Sequence, residues 1–218
     1  MWHYRDRREA GRLLADHLRA FAGQSNVRVL ALPRGGVPVG YEVARALNAP
    51  LDVFLVRKLG VPGHEELAMG AIASGGVRFM NEDVLASSRV TASAVDAVVA
   101  REQRELERRE QAYRGSRAPP DLRDATAILI DDGLATGASM QAAARAAREQ
   151  GARTVIVAVP VAAEQTCRAL GAVVDQVVCP LTPEPFYAVG LWYDDFAQTT
   201  DAEVRELLEL AHDRSRTS

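Results

Sequence analysis

Asp131 and Asp132 are adjacent carboxylates set between an apolar run, Ala127 to Ile130, and a turn of mostly small residues, Gly133-Leu134-Ala135-Thr136-Gly137-Ala138-Ser139. The run reads as a buried strand, and an alanine-rich helix follows from Met140 to Gln150. Carboxylates at the end of such a strand can grip sugar hydroxyls. A turn that feeds a helix N-terminus points unpaired backbone N–H groups at an anion, here with the Thr136 and Ser139 hydroxyls beside them. A single ligand carrying both ribose and phosphate would satisfy both halves. The plainer alternative is an ordinary strand-to-helix turn with two solvated acids. A Walker P-loop is excluded, because Ala138 stands where its lysine belongs, and no G-x-G-x-x-G is present.

Three more segments have chemical character. Pro33-Arg34-Gly35-Gly36 follows an apolar strand, so its glycines let backbone approach an anion and Arg34 adds a forked cation. Arg57-Lys58 places two cations after a second strand, Arg suited to bidentate contact with a diphosphate and Lys to acting as a point charge. Each could equally be a solvated turn. Phe186 to Phe196 is aromatic and ends near Asp194-Asp195, which reads either as a stacking surface or as core.

The elements that must position these groups follow from periodicity. Asp6 to Phe21 has Ala10, Leu13, Leu14, Leu18 and Phe21 on one helical face. Val27–Leu32 and Leu51–Val56 are strands around a helix from Val37 to Leu47, with Pro38 tolerated in its first turn. Residues 59–81 hold five glycines, with Ser74-Gly75-Gly76 as a hairpin turn; they suggest a mobile two-stranded flap hinged at Gly60 and Gly63. Thr91 to Arg114 is a long helix whose second half is charged, read as a solvated face with pairs such as Arg101–Glu105. Arg117 to Asp121 is a linker. Thr154–Val159 and Val173–Val178 are strands flanking a helix from Ala163 to Leu170. Residues 180–196 form an irregular cap, Ala202 to His212 a last helix, and Asp213 to Ser218 a fraying tail. The order gives an α/β fold, a doubly wound and mostly parallel sheet whose ligand crevice lies at the strand C-termini.

Bulk numbers narrow the class. A chain of 218 residues suits a single domain with its own core. The net charge of −3, with 26 cations spread among 29 acids, argues against a nucleic-acid partner recognised by bulk electrostatics. Cys167 and Cys179 lack metal-ligand spacing and read as apolar thiols in a reducing compartment. The first residues show no secretory apolar region, and the longest apolar run, Val155 to Ala163, is too short for a membrane span. A cytoplasmic location with no membrane partner is the expectation.

With these segments in place, residues 127–139 resemble the phosphoribosyl pyrophosphate (PRPP) binding motif of the type I phosphoribosyltransferases. The resemblance implies that Asp131 and Asp132 hold the ribose hydroxyls, and that Ala135, Thr136, Gly137, Ala138 and Ser139 hold the 5′-phosphate. It assigns pyrophosphate to Arg34, Gly35, Gly36, Arg57 and Lys58, with a non-proline cis peptide at or beside Arg34–Gly35. Asp131, Asp132 and Lys58 are the catalytic candidates. Residues 186–196 resemble the hood of the hypoxanthine–guanine enzymes, which implies base contacts from Tyr187, Val189 and Trp192 and a magnesium-proximal acid at Asp194. In the 6-oxopurine enzymes an acid precedes the Thr-Gly pair, whereas here Ala135 does; the string Asp-Asp-x-Leu-Ala-Thr-Gly is closer to adenine phosphoribosyltransferase. The implied activity is Mg2+-dependent transfer of phosphoribose from PRPP to a nucleobase or related nitrogen nucleophile, with a homodimer as one option. A PRPP- or nucleotide-sensing regulator on the same fold, or a hydrolase using water, would need the same binding groups.

Overall fold

A computed structural model describes residues 3–215. Helix α1 (Arg7–Asp16) starts at Asp6, whose carboxylate accepts from the Glu9 N–H at 2.7 Å, while Glu9 reaches back to the Arg5 N–H at 2.6 Å. Each contact satisfies a donor that the helix start leaves open. The expected single helix to Phe21 stops at His17, and a 3-10 turn, Arg19–Phe21, replaces its end.

Five parallel strands form the central sheet. In chain order they are β1 (Val27–Ala31), β2 (Leu51–Val53), β6 (Thr126–Ile130), β7 (Thr154–Ala158) and β8 (Gln176–Val178), arranged β2-β1-β6-β7-β8. The apolar strands bury both faces, as a parallel sheet requires. Val27, Val29, Ile128, Ile130, Ile156 and Ala158 pack under α1 and α2 (Gly36–Leu47). Leu30, Ala127, Leu129, Val155 and Val157 pack under α5 (Ala138–Glu149) on the opposite face. From β1 the chain winds outward to β2, then returns to lay β6 on the other side of β1. The strand order therefore reverses between β1 and β6, which is where a doubly wound sheet opens a crevice.

The segment from residue 51 departs from the expected strand. Leu51–Val56 is not continuous: the Leu55 N–H donates to Ser74 Oγ and the Ser74 N–H to the Leu55 carbonyl, both at 2.8 Å. That double clamp pulls the chain out of the central sheet. Residues beyond it enter a separate antiparallel sheet of β3 (Val56–Val61), β4 (His64–Ala73) and β5 (Val77–Met80), ordered β3-β4-β5. The turn at Ser74–Gly76 lies where the glycines placed it, with Gly75 and Gly76 at φ 82 and 77. The expected two-stranded flap is thus three-stranded, and Leu59, Met69, Ile72 and Phe79 root its base in core. Continuous exposure is confined to the tip, residues 62–67. Gly60 sits at a register shift where a Cβ would lie 2.6 Å from the Glu65 carbonyl oxygen, so close strand approach accounts for this glycine.

A short helix, α3 (Glu82–Ser88), was not expected; Asn81 caps it by accepting from the Val84 N–H. Helix α4 (Ala92–Arg114) has Thr91 as its cap. Its charged half is not simply a solvated face. Val98, Glu102, Leu106, Tyr113 and Arg114 turn inward. Glu102 accepts from Arg57 Nε at 2.9 Å and Nη2 at 2.5 Å, and Arg114 Nε lies 3.1 Å from Asp52 Oδ2. A few apolar residues at helical spacing supply the contact that the dense charges hide in the sequence.

Helix α6 (Glu164–Gly171) follows β7. The cap, residues 180–196, packs Trp192 and Tyr193 against Tyr4, Ala10 and Val161 and includes a 3-10 turn, Val189–Trp192. Helix α7 (Asp201–Ser215) closes against α2 and α4. The described part of the expected fraying tail is helical to Ser215, and 216–218 lie outside the described residues. No helix among the described residues is long and apolar enough to cross a membrane.

Arg57→Ala would leave buried Glu102 without its main cation and is expected to lower unfolding free energy by about 1–3 kcal/mol in a urea titration. An unchanged midpoint would contradict the bracing role of this pair.

Candidate active site at the β1–β6 switch point

Two loops meet where the strand order reverses. β6 ends at Ile130, so Asp131 and Asp132 stand at its carboxyl end; β1 ends at Ala31, and Leu32 to Gly36 turn into α2. The Leu32 N–H donates to the Ile130 carbonyl at 2.8 Å, which ties the loops at their bases. Above that tie the glycines allow contact. A Cβ on Gly35 would overlap Asp132 Oδ2, and one on Gly36 would lie 2.6 Å from the Ile130 carbonyl oxygen. The peptide Pro33–Arg34 is cis, immediately beside Arg34–Gly35, as the resemblance implies.

The turn after the acids is held from outside and open within. The Leu134 N–H donates to the Val161 carbonyl at 3.0 Å, and Thr166 Oγ1 donates to the Ala135 carbonyl at 2.5 Å. Gly137 adopts φ 71, a conformation that favours glycine, with the Thr166 methyl where a Cβ would go. Helix α5 then begins, so the N–H groups of Ala138, Ser139 and Met140 have no partner within the helix. Ala135, Thr136, Ala138 and Ser139 are exposed. The result is an accessible cradle of donors beside two carboxylates.

The acids are electrostatically expensive. Burial pushes the Asp131 carboxyl well above the usual range, and the neighbouring Asp132 charge pushes it further. Burial also raises Asp132, opposed by Arg7. Arg7 Nε donates to Asp132 Oδ2 at 2.7 Å, with the side chains 11% and 14% exposed respectively. Tyr193 donates its hydroxyl to the Asp132 carbonyl at 2.5 Å, and burial raises its phenol too. Sequence reasoning missed Arg7. It sits in the run Arg5-Asp6-Arg7-Arg8, and no spacing rule connects it with an acid 125 positions away.

The three cations named from sequence do not share one place. Arg34 turns its guanidinium toward Asp201, 3.8 Å away, in a small cavity with Arg108, Arg109 and Tyr113. Arg57 is bound to Glu102, and both Arg57 and Lys58 lie within β3 rather than at the end of β2. Lys58 alone of the three borders the turn after the acids: it shares a cavity of about 330 Å3 with Ala138 and Ser139, its ammonium 3.2 Å from the Glu66 carbonyl oxygen.

The hood candidates are likewise divided. Val189 packs over Gly133, where a Cβ would meet its methyl at 2.5 Å, so the hood closes on the acid turn itself. Trp192 is core, and Tyr187 is 78% exposed. Asp194 faces His3 at 3.6 Å. Among the described residues no group of three or more His, Cys, Asp or Glu side chains is arranged to hold a metal.

The acids give a pH test. A carboxyl whose folded pKa is raised favours folding while protonated, and that contribution is lost as pH rises through the folded value. Asp131→Asn should therefore stabilise the protein at pH 8 by about 0.5–2 kcal/mol in a denaturant titration, with the gap closing toward pH 4. A variant less stable than the parent at pH 8 would contradict the buried-charge account.

Comparison with known proteins bears on the family and the fold. A family model described as "Phosphoribosyl transferase domain" matches residues 5–180. Two Mycobacterium tuberculosis proteins, from strains CDC 1551 / Oshkosh and H37Rv and each named "Putative phosphoribosyl transferase", are each 47% identical over 207 residues. The matches cover 95% of this chain and 46% of each relative, so the chain spans less than half their length. The crystal structure of a Thermus thermophilus protein aligns with TM-score 0.83 and 42% identity, covering 94% of this chain and 97% of that one. A Neisseria gonorrhoeae structure shares the fold at TM-score 0.50 and 14% identity, with 96% of each chain covered. The chain belongs to the phosphoribosyl transferase family, whose type I members transfer pentosyl groups on this α/β fold.

Proposed function

We propose that this protein binds PRPP at the β1–β6 switch point and transfers its phosphoribosyl group to a nucleobase or related nitrogen nucleophile, releasing pyrophosphate. The observation that carries this reading is the packing of Gly35 and Gly36 against Asp131 and Asp132, beside an open helix-start cradle. In this proposal the 5′-phosphate lies on the backbone of residues 135–139 with the Thr136 and Ser139 hydroxyls. The ribose diol meets Asp131 and Asp132. Pyrophosphate lies along the Arg34-Gly35-Gly36 backbone, Lys58 adds its charge on the side of Ala138 and Ser139, and Arg57 braces the small sheet.

The carboxylates would orient the ribose and offset positive charge that grows on the ring as the C1–O bond breaks. Positioning supplies the rest, by holding the incoming nitrogen opposite the leaving group. The reactive ring must be kept from water, and the exposed tip at residues 62–67 would serve as the lid. Val189 and the exposed Tyr187 are the hood's contacts for a flat acceptor, and Val189 packs on the core cluster of buried Trp192. Magnesium fits this donor set only as an ion carried on substrate oxygens, because Arg7 already occupies one Asp132 oxygen and Asp194 is turned to His3. Bound in that way, it would neutralise charge on the departing pyrophosphate.

Asp132→Asn and Thr136→Ala are each expected to weaken PRPP binding about tenfold or more, roughly 1.4 kcal/mol, by calorimetry. The activity itself is tested by pyrophosphate release from PRPP and magnesium across purines, pyrimidines and small amines. Release with at least one acceptor supports transfer; tight PRPP binding with no release from any would favour a sensor using the same pocket.

A further inference from the structure

Arg7 joins three segments that are far apart in sequence. Its Nε donates to Asp132 Oδ2 at 2.7 Å and its Nη1 to the Ala197 carbonyl at 2.7 Å. Its guanidinium carbon lies 3.9 Å from the centroid of the Phe196 ring, and that ring stacks on Tyr193 at 5.1 Å. Tyr193 closes the circuit by donating to the Asp132 carbonyl. Asp132 Oδ2 also lies against Gly35. The acid turn, the hood and helix α1 therefore meet at one guanidinium, with the glycine loop resting on the same Asp132 oxygen.

We propose that Arg7 is the positioning residue of the ribose subsite. It fixes the Asp132 carboxylate by one oxygen, leaves the other for the sugar diol, and locks the hood to the acid turn. The inference rests on the proposed PRPP site. The geometry supports it in three ways. A carboxylate held by one charged hydrogen bond keeps a defined rotamer and keeps lone pairs on its second oxygen for a hydroxyl donor. Asp131 Oδ1 accepts from the Asp132 N–H at 2.9 Å, and among the described residues Arg7 is the only side chain hydrogen-bonded to the Asp132 carboxylate. The guanidinium is planar and anchored on its other edge and its face, so its own position is fixed by Ala197 and Phe196. A lysine there could supply the charge without the second anchor.

The test separates diol recognition from folding. Ribose 5-phosphate and its 2,3-dideoxy analogue differ only in the hydroxyls assigned to the acid pair, and both present the same phosphate to residues 135–139. Wild-type protein is expected to prefer the diol sugar by about tenfold. Arg7→Ala should cut that preference to about twofold or less, leave inorganic phosphate affinity unchanged, and recover the preference when guanidinium ion is added. If Arg7→Ala does not fold, Arg7→Lys makes the same comparison, with an intermediate preference expected. An unaltered preference in the variants, with binding intact, overturns the role of Arg7 and leaves the PRPP site standing. Failure of wild-type protein to bind either sugar or PRPP overturns both.

Discussion

The site depends on a single steric condition: the loop after β1 must lie directly on the carboxylates after β6. Only residues without a Cβ satisfy it, because at Gly35 and Gly36 a side chain would occupy the space of Asp132 and of the Ile130 carbonyl. The parallel pairing of β1 with β6, in register from Val27–Thr126 to Ala31–Ile130, ends both strands at the same level. The loops then rise together from the sheet. The crevice follows from that register and from the reversal of strand order at this pair.

Bringing two carboxylates together at the end of a buried sheet has an electrostatic cost, and the arrangement around them reflects it. Arg7 offsets the charge of Asp132, while Asp131 bears both desolvation and its neighbour's charge. Such a pair is poorly suited to holding the fold together and well suited to a ligand that brings hydroxyl donors. The turn that follows the acids is organised on the opposite principle. Thr166 and Val161 secure its carbonyl and amide groups from behind, so the donors on its open side remain available. Arg57 and Arg114 serve the scaffold: they fasten α4 to the small sheet and to β2 through Glu102 and Asp52.

How much of this was legible in the sequence divides by the range of the interaction. The strand, acid pair, turn and helix of residues 126–149 depend on local periodicity and turn chemistry, and they form close to where those signals put them. The same holds for the glycine turn at 74–76. The break after Val53 was not legible, because it is made by Ser74 from 19 positions away. Leu51 to Val56 carries the pattern of one strand whichever sheet receives its second half. Arg57 looked free because Glu102 lies inside a charge run whose exposed members disguise its buried ones. Arg7 illustrates the limit most clearly. Its role arises only when α1 packs beside the acid turn, and the residue types around it resemble any solvated helix start.

The most direct test of PRPP binding at the β1–β6 switch point is the crystal structure of the protein in complex with PRPP and magnesium. Binding there predicts phosphate density over the amides of residues 135–139, the ribose hydroxyls against Asp131 and Asp132, and the diphosphate along Gly35-Gly36. A ligand seated elsewhere, or a diphosphate lying away from the glycine loop, would contradict it.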